Sequence, residues 1–284
     1  MSATLGSGGV RFGEPMSPGK DIRTRGRARL AGVAVLTVCG ALAAPAAASA
    51  AETSAQVSGS TLRVTGLAGI SAVQVSYHQV EANDVGPSIV LSDEGGVDSA
   101  GDACVAVNPQ TVSCDARAVN RIVARLGDGD DVMAITSNGA DAVPASIPAF
   151  LHGEGGADVI AGGRADDRVF GEQGRDTVAG GAGDDAIHGG ERSDAVIGFG
   201  GDDSLFGEEG RDALFGQKGH DSMRGGTEND VLLARDGERD PKLLCGQGRR
   251  QQAITDRFDP SARSCTTPAQ RKAAERKRKR QQGT

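Results

Sequence analysis

The sequence predicts an all-β fold built around a β-solenoid with two nine-residue repeats per coil and a smaller β-rich region ahead of it. The main observation is that the chain repeats every nine residues from Gly153 to Leu233, with glycine first, aspartate sixth and an aliphatic residue eighth in each unit. Ahead of the repeats, short alternating segments such as Thr61–Val64 and Ala72–Val75 are separated by turn residues, a pattern typical of small all-β domains.

Each nine-residue unit has the composition of a tight turn followed by a very short strand. Glycine at the first position, and usually at the fourth, permits the positive φ angles of a tight turn. The last three residues direct one aliphatic side chain inward, as a strand does. One unit buries almost nothing, so we expect the units to be stable only when they stack as a solenoid.

The fifth position shows how many units form one coil, because its character alternates from unit to unit. One series contains Asp166, Asp184, Asp202 and His220, and the other contains Ala157, Arg175, Ser193, Arg211 and Asn229. The environment therefore repeats every eighteen residues. We predict two units per coil, with turns stacked on two separate edges.

This arrangement places the sixth-position aspartates in two columns. The predicted metal-binding residues are Asp158, Asp176, Asp194, Asp212 and Asp230 on one edge and Asp167, Asp185, Asp203 and Asp221 on the other. Stacked turns lie about 4.8 Å apart, and carboxylates that close to each other disfavour ionisation. The pattern therefore predicts cations between the turns.

Calcium is the metal that best fits these ligands. Carboxylates and backbone carbonyls are hard oxygen donors, and Ca²⁺ accepts about six to eight of them in irregular geometry. Zinc or copper would require His or Cys, and the repeats offer only His220 at a fifth position and His188 at a ninth. The alternative is a solvated acidic face on a flexible glycine-rich segment, which would not keep aliphatic residues in register.

The unit Gly180–His188, with sequence GGAGDDAIH, resembles the G-G-x-G-x-D-x-U-x repeat of the haemolysin-type, or repeat-in-toxin (RTX), calcium-binding family of secreted bacterial proteins. The resemblance covers residues 153–233. It implies a parallel β-roll in which Ca²⁺ is held between successive turns by sixth-position aspartates and turn carbonyls. Gaps between the stacked turns allow several ions, at most about seven. Glu154, Phe199 and Arg192 depart from the glycine pattern, so fewer sites are expected.

The N-terminus resembles a secretory signal peptide. Four arginines between Arg23 and Arg29 precede an apolar run from Leu30 to Ala47, and Ala48-Ser49-Ala50 follows as a cleavage sequence. We therefore expect a secreted, extracellular protein, in which association with a cell wall is one possibility, and no transmembrane anchor after the signal is removed. A retained membrane anchor is the alternative.

Removal of Cys39 with the signal would leave four cysteines: Cys104, Cys114, Cys245 and Cys265. Four cysteines allow three pairings, of which we favour the two local ones, Cys104–Cys114 and Cys245–Cys265. A metal site is the alternative. The second pair closes a loop just after the last repeat, where it would stabilise an end cap.

The last residues are strongly basic, with seven Lys and Arg between Arg271 and Arg280. Such a tail is either solvated and disordered or able to bind anionic cell-surface polymers. The chain has no Trp and a single Tyr77, which argues against base stacking and hence against nucleic acid as a partner.

An enzyme is the main alternative class. No H-E-x-x-H or G-x-S-x-G motif occurs in the sequence, so we expect no catalytic residues and no enzymatic activity. The predicted organisation is a signal peptide (1–50), a β-rich N-terminal domain or irregular start of the solenoid (51–150), a β-roll (151–235), a disulfide-stapled C-terminal cap (236–268) and a basic tail (269–284). The sequence favours a secreted calcium-binding protein with a structural or adhesive role; a cell-surface binding module using the tail, or a hydrolase, is the alternative.

Overall fold

The computed structural model describes residues 53–66, 72–78, 87–93, 97–100, 103–139, 141–248, 251–259 and 265. The predicted signal peptide, residues 1–50, and the predicted basic tail, residues 269–284, lie outside the described residues. Both stay predictions.

The described residues form twenty-one strands and one short 3₁₀ helix at Ala116–Ala118. The strands are β1 Thr53–Ser58, β2 Thr61–Thr65, β3 Ala72–His78, β4 Ser88–Asp93, β5 Val97–Ala100, β6 Cys104–Asn108, β7 Thr111–Asp115, β8 Arg121–Asp128, β9 Val132–Ile135, β10 Ala149–Gly156, β11 Val159–Ala161, β12 Arg168–Gly174, β13 Thr177–Ala182, β14 Ala186–Glu191, β15 Ala195–Gly200, β16 Ser204–Glu209, β17 Ala213–Lys218, β18 Ser222–Gly226, β19 Val231–Ala234, β20 Lys242–Gly246 and β21 Gln252–Thr255.

From β8 onward the chain is a parallel β-solenoid, so the predicted all-β fold with a parallel β-roll is confirmed. Even-numbered strands from β8 to β20 lie in one sheet and odd-numbered strands from β9 to β21 in the other. Within the repeats, paired residues are eighteen positions apart, as in Val169↔Ile187 on one sheet and Val178↔Val196 on the other. Two nonapeptides therefore make one coil.

The core of the solenoid lies between the two sheets. The eighth-position side chains fill it, and each of them, from Ile160 to Leu232, is 0–1% exposed. Each coil thus contributes two aliphatic side chains, one from each sheet, and none of these residues could be buried without the coils above and below it.

The N-terminal strands start the same two sheets. β2 pairs with β8 and β3 pairs with β9, both in parallel, while β1 with β2 and β3 with β4 form antiparallel pairs. Their buried residues, including Leu62 and Val75, belong to the same hydrophobic core as the repeats. In the described part of the chain this region is an irregular start of the solenoid, one of the two forms that the sequence predicted.

The two sheets also continue past the last nonapeptide. β20 pairs with β18 and β21 pairs with β19, both in parallel. The spacing is no longer regular, because Lys242 lies opposite Ser222, twenty residues earlier, and Gln252 lies opposite Val231, twenty-one residues earlier. The segment predicted as a cap therefore begins as another coil with extra residues in its turns.

The four predicted disulfide-forming cysteines are paired as expected, Cys104 with Cys114 and Cys245 with Cys265. The first bridge joins β6 to β7. The second ties the last coil of the solenoid to residue 265. Among the described residues there is no helix long and apolar enough to span a membrane.

Candidate metal centre

The nine sixth-position aspartates form two columns along the edges of the solenoid, with the membership that the sequence predicted. In each column, one carboxylate oxygen, Oδ1, accepts a hydrogen bond from the backbone N–H of the aspartate one coil earlier. The N–Oδ1 distances run from 2.7 to 3.1 Å for the pairs 158–176, 176–194, 194–212 and 212–230 and for the pairs 167–185, 185–203 and 203–221.

Eight of the nine aspartates, all except Asp221, also link two coils through a backbone carbonyl. The carbonyl of Asp158 accepts from the N–H of Thr177 at 2.8 Å, and the carbonyl of Asp185 accepts from Ser204 at the same distance. Hydrogen bonds from both the side chain and the main chain thus join each coil to the next one, which fixes the spacing of successive carboxylates.

These carboxylates are buried, although they belong to turns. All nine are 0–4% exposed. Burial of an ionised carboxylate is costly unless hydrogen bonds or a cation satisfy both of its oxygens. One oxygen of each aspartate has its hydrogen bond, so the other oxygen decides the chemistry of the site.

That second oxygen, Oδ2, has no hydrogen-bond partner in eight of the nine aspartates. These are Asp158, Asp176, Asp185, Asp194, Asp203, Asp212, Asp221 and Asp230, whose Oδ2 atoms are shielded from solvent. Asp167 is the exception, since its Oδ2 accepts from the N–H of Gly163 at 2.6 Å. Rows of buried, unsatisfied carboxylate oxygens are the ligand set of a hard cation, so the residues present fit Ca²⁺.

The electrostatics of the columns point the same way. Burial, together with the negative charges of the neighbouring Asp203 and Asp167, raises the pKa of Asp185 from 3.8 to about 8, although the hydrogen bond from Asp167 N–H lowers it. The same causes raise the pKa of Asp158, Asp194, Asp203 and Asp212 to about 7 and that of Asp221 to about 6. Burial also raises the pKa of Asp167 and Asp230 to about 6, and that of Asp176. Without a cation, these groups resist ionisation near neutral pH.

Glycine at the first position of each unit makes this burial possible. The aspartate side chain folds back over the glycine of its own unit, and a Cβ built at Gly180 would lie 2.6 Å from Asp185 Cγ and 2.7 Å from its Cβ. Contacts that short are incompatible with a side chain. The recurring glycine and aspartate are therefore one structural requirement, not two.

We expect Gly180→Ala to lower the free energy of unfolding of the calcium-bound chain by about 1–3 kcal/mol, the usual cost of forcing an extra methyl into a packed site. Denaturant unfolding in saturating Ca²⁺ measures this. The matched control is Gly200→Ala, because a Cβ at Gly200 meets no heavy atom within 4 Å, and it should change the value by less than about 0.5 kcal/mol. Equal effects of the two substitutions would contradict the packing explanation.

The turns also tolerate departures from glycine at the second position. Glu154, Glu172, Phe199, Glu208 and Gln217 all adopt φ between 70° and 77° there. At the fourth position Arg192 and Glu228 do so too, at 78° and 64°, whereas Ala165 does not. The positive φ of the turn therefore persists without glycine, at the strain that side chains carry in this region.

A second, exposed row of aspartates accompanies one of the buried columns. The fifth-position carboxylates of Asp166, Asp184 and Asp202 each accept from the backbone N–H one coil later, at 2.8–2.9 Å. This direction is opposite to that of the buried columns. The exposed row supports the stacking of the coils, but its carboxylates remain open to solvent.

The structure extends both columns beyond the nonapeptides. Asp131 N–H donates to Asp158 Oδ1, Asp221 N–H donates to Asp240 Oδ1, and Asp240 N–H donates to Asp259 Oδ1, at 2.8–3.0 Å. Asp131 lies twenty-seven residues before Asp158, three times the repeat length, within the partial repeat Gly127–Met133. That signal could have identified it. Asp240 lies nineteen residues after Asp221, so the nine-residue spacing misses it.

The outer face of the even-numbered sheet carries a row of stacked rings, three of which occupy the ninth position of a repeat. His152, Phe170, His188 and Phe206 stack with centroids 4.6–4.9 Å apart. Nδ1 of each histidine lies 2.7 Å from the carboxylate of Glu172 or Glu208. On the other sheet, the same position bears Ile197, Phe215 and Leu233, which pack in register and are partly exposed.

A family model for the RTX calcium-binding nonapeptide repeat matches the chain in four copies, at residues 150–178, 163–194, 179–214 and 197–232. No curated protein and no solved structure matches the chain.

Proposed function

Because residues 150–232 belong to the RTX calcium-binding nonapeptide repeat family, we propose that this chain is a secreted protein whose β-roll folds when several Ca²⁺ ions bind between its stacked turns. Its role is structural or adhesive, and it is not enzymatic. The observation that carries the proposal is the pair of columns of nine buried aspartates, eight of which have an Oδ2 atom without a hydrogen-bond partner.

The size of the electrostatic cost supports a calcium-dependent fold. A shift of one pKa unit corresponds to about 1.4 kcal/mol, so the rise of the Asp185 pKa from 3.8 to about 8 opposes folding by several kcal/mol once the group ionises. A typical domain has a net stability of about 5–15 kcal/mol. Several such groups line each column, so their burial works against the metal-free fold, and bound cations would remove that cost.

In this proposal, three sets of residues in each repeat have different roles. The column aspartates hold the ions through oxygens already oriented by backbone hydrogen bonds, and the first-position glycines give those side chains room. The aliphatic eighth-position residues add the apolar burial that stacking makes available. Bound Ca²⁺ supplies positive charge between the carboxylates, and its binding free energy becomes folding free energy.

The nonapeptides provide up to seven gaps between sixth-position aspartates: four in the column from Asp158 to Asp230 and three in the column from Asp167 to Asp221. We propose that several of these gaps hold Ca²⁺. Extracellular calcium modules bind at about 10⁻⁴ to 10⁻³ M. The chain would then be unfolded at low intracellular calcium and ordered outside the cell.

The experiment is a Ca²⁺ titration of residues 51–284 followed by far-UV circular dichroism, with Mg²⁺ as the matched control ion. We expect a cooperative gain of β signal near millimolar Ca²⁺. Mg²⁺ should not produce it, because Mg²⁺ is smaller and demands near-ideal octahedral geometry. A chain that is fully β in chelator and does not respond to Ca²⁺ would overturn the proposal.

A cell-surface binding role is the second candidate, and it is favoured by the basic sequence from Arg271 to Arg280. A positively charged tail would hold the protein on anionic surface polymers by electrostatic attraction. A hydrolase carrying these repeats is less well supported, because neither the zinc-protease motif nor the serine-hydrolase motif occurs in the sequence.

A further inference from the structure

The first coil after the nonapeptides contains an acidic loop between β19 and β20. Its turn is longer than those of the repeats, because ten residues separate Asp230 from Asp240, whereas nine separate successive sixth-position aspartates. Asp240 nevertheless takes the sixth-position role, since its Oδ1 accepts from Asp221 N–H at 2.8 Å. The loop lies outside residues 150–232, which the family model matches.

Three carboxylates converge at this loop. One oxygen each of Asp221, Asp236 and Asp240 lies within 4.8 Å of the others. Asp221 is the last aspartate of its column within the repeats, and Asp236 comes from the lengthened turn. None of the nine nonapeptides has an aspartate among its first four positions, so Asp236 has no counterpart of its own residue type in the repeats.

Two of the three carboxylates are buried and incompletely satisfied. Asp221 and Asp240 are both 0% exposed, and their Oδ1 atoms accept backbone hydrogen bonds from Asp203 and Asp221. Their Oδ2 atoms have no partner, and neither does Asp236 Oδ2, which is shielded from solvent. Among the described residues, no Arg, Lys or His forms an ion pair with any of the three.

The surroundings add negative charge. Burial, together with the negative charges of Asp221, Asp259 and Asp236, raises the pKa of Asp240 to about 7. Burial is the main cause of the raised pKa of Asp221, and the negative charge of Asp236 also raises it. The basic residues of the loop, Arg235 and Arg239, are exposed, so they offer no internal counter-charge.

We propose that Asp221, Asp236 and Asp240 form a further divalent-cation site, selective for Ca²⁺, that joins the last repeat to the C-terminal coil. The three carboxylates are hard oxygen donors in an irregular arrangement, which suits Ca²⁺ better than Mg²⁺. The site differs from those of the repeats because one ligand, Asp236, is a side chain from an inserted turn. It lies on the coil that also carries the Cys245–Cys265 disulfide, so cation and disulfide close the same end of the solenoid.

This inference rests on the proposed calcium-dependent roll, and native mass spectrometry separates the two by counting the ions on residues 51–284 in saturating Ca²⁺. The test variant is Asp236→Asn, which keeps an oxygen for the hydrogen bond that Asp236 Oδ1 accepts from Glu238 N–H. The matched control is Glu238→Gln, which removes one charge from an exposed side chain of the same loop. We expect Asp236→Asn to bind one ion fewer than the unmodified chain and Glu238→Gln to bind the same number.

Hydrogen exchange of residues 232–246 in saturating Ca²⁺ provides a second readout. Exchange should be at least about tenfold faster in Asp236→Asn, since even changes outside the direct ligands weaken metal sites by that factor. The amides of β12–β15 should be unaffected. An unchanged ion count and unchanged exchange in Asp236→Asn would overturn the site while leaving the calcium-dependent roll intact. Loss of an ion in Glu238→Gln as well would also overturn the site, because it would show that the net negative charge of the loop, and not ligation by Asp236, retains the ion. Failure of the unmodified chain to bind calcium would overturn both proposals.

Discussion

Acidifying the calcium-free chain from about pH 8 to about pH 4 is expected to increase its β content, and returning it to pH 8 should unfold the roll again. The reason is the raised pKa of the column aspartates, about 8 for Asp185 and about 6 for Asp221 and Asp230, against a usual value of 3.8. The folded chain therefore binds protons more tightly than the unfolded chain does.

The sign of the effect follows from linkage. Between pH 3.8 and the raised pKa values, the folded state holds more protons than the unfolded state, so the free energy of unfolding falls as pH rises. The stabilisation is complete below the unfolded pKa and is lost as pH rises through about 6 to about 8. Above that range the metal-free fold carries the full cost of its buried charges.

Circular dichroism against pH in chelator measures this effect, with sedimentation to separate folding from aggregation. Saturating Ca²⁺ is the control, and there the slope should reverse because protons compete with the cation for the same oxygens. A metal-free chain that gains β structure as pH rises would contradict the burial of the aspartates.

Neutralising one buried aspartate is expected to have opposite effects with and without calcium. Asp185→Asn keeps a side-chain oxygen that can accept the hydrogen bond from Asp167 N–H, which is 2.7 Å long in the unmodified chain. The substitution removes a negative charge whose formation is opposed by burial. In chelator at pH 8 the variant should be more stable by several kcal/mol, at about 1.4 kcal/mol per unit of pKa shift. In calcium the same change removes an anionic ligand, so the midpoint of the Ca²⁺ titration should rise at least about tenfold.

The adjacent Asp184 offers the control. Asp184→Asn makes the same charge change one residue away, at an exposed side chain whose Oδ1 also accepts a backbone hydrogen bond, from Asp202 N–H at 2.8 Å. Stability in chelator should change by less than about 1 kcal/mol, and the calcium midpoint should move little. If both variants shift the midpoint equally, net charge rather than ligation governs calcium binding.

The columns could be predicted because the repeat length is constant. With every aspartate nine residues from the next, two units per coil fix which carboxylates stack, and the eighteen-residue register of Val169 and Ile187 follows from the alternating fifth position. Prediction ended where spacing became irregular. Asp240 lies nineteen residues after Asp221, and Asp236 has no counterpart in any unit, so only the folded coil brings them together.

Burial of the aspartates also could not be predicted from the sequence. An aspartate in a glycine-rich turn is ordinarily exposed, and Asp184 and Asp202 behave in that way. Asp185 becomes buried because its side chain folds over Gly180 and reaches the adjacent coil. The pairing of the N-terminal strands could not be predicted either. β2 pairs with β1 in an antiparallel orientation and with β8 in a parallel orientation. The choice of partner depends on tertiary packing more than on local composition.

The one-way hydrogen bonds of the buried columns give the two ends of the solenoid different requirements. Each backbone N–H, such as that of Asp194, needs the carboxylate of the following coil, here Asp212. Whichever end a coil is added to, the last coil of a stack keeps one donor without an acceptor, and such a donor costs about 1–3 kcal/mol when it is buried. The coil after the nonapeptides supplies the missing acceptor, because Asp240 Oδ1 accepts from Asp221 N–H and Asp259 Oδ1 accepts from Asp240 N–H. We therefore expect removal of the chain from residue 236 onward to destabilise the C-terminal end of the stack more than loss of apolar contact alone would.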